Sequence, residues 1–79
     1  MPIMKVTRQI SVDVPGLGDR IKAARKSSTK PLLALCREIG FSSMNWYRIE
    51  KEQQSIPEET LRKIEQVLGV DFGVSFDND

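Results

Sequence analysis

Gly40 restricts this chain more than any other residue, because it sits between two short apolar faces of helical period. Leu35 and Ile39 precede it, and Trp46 and Ile49 follow it. Glycine adopts the left-handed backbone that ends a helix and turns the chain sharply. The spacing predicts two helices that close on each other at a steep crossing, with Phe41 plugging the corner. Cys36, one turn before the glycine, must be small, since a bulky side chain would push the helices apart. Its predicted role is packing, not nucleophilic chemistry. Trp46 falls on the apolar spacing and is assigned to the core in preference to an exposed stacking platform.

Helical patterns flank this pair. Leu17, Ile21 and Ala24 recur at helical spacing with Arg20, Lys22, Arg25 and Lys26 around them, which predicts a helix over 17–27. Ser27-Ser28-Thr29 breaks it, and Pro31 suits the first turn of a second helix ending at Ile39. Ser42 or Ser43 can cap a third helix reaching about Lys51. Residues 52–56 read as a loop. Pro57, Glu58 and Glu59 then make an acidic first turn for a fourth helix, with Leu61, Ile64 and Leu68 on one face and Gly69 as its stop.

Both ends alternate with strand period. Met4, Val6, Ile10, Val12 and Val14 share one face of residues 4–14, with Arg8 as the interruption, and Val70, Phe72, Val74 and Phe76 share one face of the tail. Isolated strands leave backbone groups unpaired, so the two are expected to pair, within the chain or across a dimer, with a shared sheet preferred. The organisation is therefore an N-terminal arm (1–15), a helical domain (16–70) and a C-terminal strand and tail (71–79). At 79 residues the core is small, and oligomerisation is the expected source of added stability.

Charge is uneven along the chain. Residues 1–37 carry eight basic against two acidic side chains, and residues 38–79 carry four against nine. This layout suits a domain that turns a basic face to a polyanion. The single cysteine and the lack of histidine exclude an intrachain disulfide and a Cys/His metal site, and no glycine-rich phosphate loop is present. No cofactor and no catalytic residues are expected, so the chain is not read as an enzyme. No window approaches the roughly 20 apolar residues that span a bilayer, and a cytoplasmic location is expected.

The segment from Leu32 to Lys51 has helix-turn-helix spacing, and its surroundings extend the likeness. Leu17-Gly18-Asp19-Arg20-Ile21-Lys22-Ala23-Ala24-Arg25, Arg48-Ile49-Glu50-Lys51 and Pro57 to Ile64 with Leu68-Gly69-Val70 together resemble the lambda-repressor-like helix-turn-helix family, over residues 17 to 70. The chain departs from that pattern at Leu32, where the family usually has glutamine, at Glu52, where it often has glycine, and after Val70, where many relatives have a fifth helix.

The resemblance implies a mostly α, four-to-five-helix DNA-binding domain with short terminal strands. It implies a dimeric transcriptional regulator, such as a repressor, that reads the major groove of double-stranded DNA with the helix at 42–51. By resemblance Ser43, Met44, Asn45, Tyr47 and Arg48 read bases. Arg48 suits guanine, Asn45 suits adenine, and Met44 or Tyr47 suits a thymine methyl group. Arg20, Lys22, Lys26, Lys30 and Lys51 are assigned to phosphates. Glu50 is expected to pair with a nearby basic side chain. For Ser43 a capping role, and for Tyr47 a protein interface, stand beside these readings. The alternative function is a protein-interaction module of the antitoxin or anti-repressor kind, with weak or no DNA binding.

Overall fold

A computed structural model describes residues 3–7 and 12–75. The elements in chain order are β1 (Ile3–Thr7), β2 (Val12–Pro15), α1 (Leu17–Ser27), α2 (Leu32–Ile39), α3 (Ser43–Glu50), β3 (Ile56–Pro57) and α4 (Glu58–Leu68). Together they form a small, mostly helical domain with a three-stranded sheet of order β2-β1-β3. None of these helices is long and apolar enough to cross a membrane.

The turn at Gly40 forms as its neighbours require. Gly40 has φ 77°, and its backbone N–H donates to the Cys36 carbonyl at the end of α2. Ser42 then caps α3, its side chain accepting from the Asn45 N–H at 3.1 Å. Leu35, Cys36, Trp46 and Ile49 are buried together, and Ile39 and Phe41 pack against them. Leu17 and Ile21 of α1 and Leu61 and Ile64 of α4 complete the helical part of the core. The helix starts differ slightly from the sequence reading, because Pro31 lies at the N-cap in extended backbone, not in the first turn.

The arm expected as one strand over 4–14 is a hairpin. β1 and β2 pair antiparallel, with Ile3 opposite Pro15 and Met4 opposite Val14. Residues 8–11, including Arg8 and Ile10, lie outside the described residues. The register joins positions of equal parity, so the alternation continues in phase from one arm to the other. Folding back gives backbone groups partners that one long strand would lack, and it leaves Met4 and Val6 buried in the core.

The expected pairing of the two termini is not made among the described residues. The second partner of β1 is β3, in parallel, with Val6 opposite Ile56. Ile56 and Pro57 therefore belong to the sheet, at the end of what reads as a loop. Residues 71–75 form no strand. The side-chain alternation there is correct, since Phe72 and Val74 are buried, but Val70 is exposed. Side chains replace the missing ladder. Glu65 accepts from the Phe72 N–H at 2.8 Å, and Arg20 and Arg62 donate to the Phe72 and Val74 carbonyls, each at 2.8 Å. Phe76 and the residues after it lie outside the described residues.

Candidate nucleic-acid interface

α3 has one face locked into the domain and one turned outward. Trp46, Ile49 and Glu50 are buried. Met44, Tyr47, Arg48 and Lys51 follow each other at helical spacing along the exposed side. Such a helix presents a fixed set of side chains because the opposite face leaves it no freedom to roll.

Glu50 fixes that rotation. Its carboxylate accepts two bonds from Arg25 of α1, at 2.5 and 3.1 Å, and one from the Trp46 indole N–H at 2.5 Å. The Arg25–Glu50 pair is largely enclosed, with 17% and 4% of the side chains exposed. The bond to Glu50 raises the Arg25 pKa, against the opposing effect of burial. The expected structural role of Glu50 is thus realised, and its partner is Arg25. The Arg25 guanidinium also lies 5.7 Å from the centre of the Tyr47 ring, a favourable cation–π separation.

The sequence-assigned base readers separate into two groups. Met44, Tyr47 and Arg48 are exposed; Ser43 is half-buried at the first position of α3. Asn45 lies off this stripe, also half-buried, and its side-chain oxygen accepts from Gln54 at 2.8 Å. Of the phosphate candidates, Lys22, Lys26 and Lys51 are exposed and make no ion pair among the described residues. Arg20 is engaged elsewhere, donating to the Phe72 carbonyl and lying 5.5 Å from that ring. Lys30 pairs with Glu38 at 2.9 Å in an exposed bridge.

Two contributors were given no role in the sequence reading, although Gly18 stands in the stretch that resembles the family and Glu52 stands where that family often has glycine. Gly18 is buried inside α1, where the backbone passes close to the end of α3. A glycine inside a helix costs about 1 kcal/mol relative to alanine, and that cost is the available signal of a close approach. Glu52 has φ 58°, the only positive φ outside glycine among the described residues. Its oxygen Oε1 is buried without a hydrogen-bond partner among the described residues. Burial raises the Glu52 pKa and Asp19 adds to the rise, while backbone N–H groups of Met4 and Gly18 oppose it.

α1, α3 and the residues just after α3 border an open cleft of about 890 Å3, lined among others by Lys22, Arg25, Met44, Tyr47, Arg48 and Lys51. The geometry defines a small helical domain with an exposed, partly cationic helix face. No known family, no curated protein and no solved structure matches the chain.

Proposed function

We propose that the chain is a sequence-specific double-stranded DNA-binding regulator with the lambda-repressor-like fold, acting in the cytoplasm as a homodimer and not as an enzyme. The observation that carries this reading is the exposed stripe Met44, Tyr47, Arg48 and Lys51 on a helix whose other face is held by the core. A major groove admits such a helix, and base edges there distinguish all four base pairs. Arg48 and Met44 are the leading base readers, with Tyr47 and Ser43 beside them and Asn45 acting through its free amide N–H groups. Lys22, Lys26 and Lys51 neutralise phosphates.

The dimer forms through the open edge of β2, whose one partner among the described residues is β1. An unpaired strand edge is a ready template for a second chain. The domain measures 35 × 24 × 20 Å, a size compatible with two α3 helices set about 34–36 Å apart in successive major grooves.

The test is duplex selection from a random pool, followed by affinity measurements between about 50 and 200 mM salt. The expected result is an enriched two-fold related site and a steep loss of affinity with salt. The protein-interaction reading draws on the exposed Met44 and Tyr47 and on the engagement of Arg20 and Lys30 within the chain. Absence of duplex binding even at low salt selects that reading.

A further inference from the structure

A helix that enters a groove must stand clear of its neighbours, yet Met44 and Tyr47 also form a wall of the concavity between α1 and α3. Its volume, about 890 Å3, lies within the range of small-molecule sites, about 300–1,000 Å3. Tyr47 is 45% exposed and Met44 64%, so the wall offers an apolar surface that the described residues leave open. Arg25 holds the Tyr47 ring while its own charge is taken up by Glu50.

The countercharge available to a ligand comes from Lys22, Arg48 and Lys51, which line the same cleft and make no ion pair among the described residues. Of the acidic groups in the lining, Glu50 is neutralised by Arg25. Asp19 and Glu52 gather where α1 begins and α3 ends, close enough to interact. A ring packed on Met44 and Tyr47 places its negative substituent among unpaired cations, and a neutral ligand would leave those cations unused.

We propose that this cleft binds a small aromatic anion, an aryl carboxylate, sulfonate or phosphate. The site stands on its own geometry. Its regulatory consequence rests on the DNA-binding reading, because Met44, Tyr47, Arg48 and Lys51 cannot face a duplex and a ligand at once. The ligand therefore releases DNA.

The probe is 1-anilinonaphthalene-8-sulfonate, added to the full chain with folding monitored by circular dichroism. A saturable fluorescence rise is expected, with one site per chain. It should weaken at least tenfold in Tyr47→Ala and in Lys22→Glu, and selected duplex should displace the probe. The proposal fails if no saturable rise occurs, if both folded variants bind as the parent does, or if neutral N-phenyl-1-naphthylamine binds equally well. Probe binding lost in the variants, without any duplex binding, keeps the cleft and removes the DNA reading. Duplex binding without probe binding removes the cleft alone. Simultaneous binding of both overturns the release mechanism.

Discussion

A Cβ atom added to Gly18 would overlap the Glu50 carbonyl oxygen and lie 2.7 Å from the Glu52 Cγ. The start of α1 and the end of α3 thus meet backbone to backbone, and Glu50, whose side chain anchors Arg25 and Trp46, lies at this contact.

Gly18→Ala therefore tests the contact directly. Helix propensity alone favours alanine by about 1 kcal/mol. Overpacking of a close backbone approach opposes it by about 1–3 kcal/mol, and the Glu50 carbonyl cannot rotate away as a side chain would. A lower urea midpoint is expected, read through Trp46, the only tryptophan. An equal or higher midpoint would mean that α1 and α3 do not approach so closely.

Glu50→Ala leaves Arg25 without its partner and the Trp46 indole N–H without its acceptor. Breaking an enclosed pair costs about 3–5 kcal/mol. A loss near the lower figure is expected, because Arg25 can still reach water. Arg25→Lys should cost less, since it keeps the charge and loses only the planar fork. Thermal melts of the two variants should rank them in that order.

The Glu52 carboxyl holds its proton more tightly in the folded chain than in the unfolded one, because burial raises its pKa above the ordinary 4.5. Its destabilising contribution is absent below the unfolded value. It grows as pH rises through the folded value and stays constant above it. Glu52→Gln should then be more stable than the parent at neutral pH, with the gap closing as pH falls toward 4. A gap independent of pH would separate the effect from ionisation.

Arg48→Ala should lower duplex affinity by about 1–3 kcal/mol and relax preference at one base position. Lys51→Ala should weaken all sequences alike and reduce the salt slope by about 1. Arg20→Ala is expected to act differently. It loosens residues 71–75 by freeing the Phe72 carbonyl, which faster amide exchange there would reveal. Unchanged selectivity in Arg48→Ala removes it from the base-reading set.

Of the five α3 side chains that the family resemblance turned outward, Met44, Tyr47 and Arg48 are exposed and Ser43 and Asn45 are half-buried. Apolar spacing, with the glycine, proline and serine signals between segments, determined the four helices, the turn at Gly40 and the burial of Trp46 and Cys36. These follow from spacing within one segment, where a residue's face depends only on its neighbours along the chain. The strands were harder to read. An alternating pattern marks which side chains go inward, but a hairpin in phase and one long strand share it, and the tail from Asp71 to Ser75 shares it without any ladder. Only the tertiary structure decided that β1 pairs with β2 and β3, that Arg20 is spent on Phe72, and that Arg25 meets Glu50. Those choices join residues far apart in sequence, and they depend on which surfaces the packed helices leave within reach.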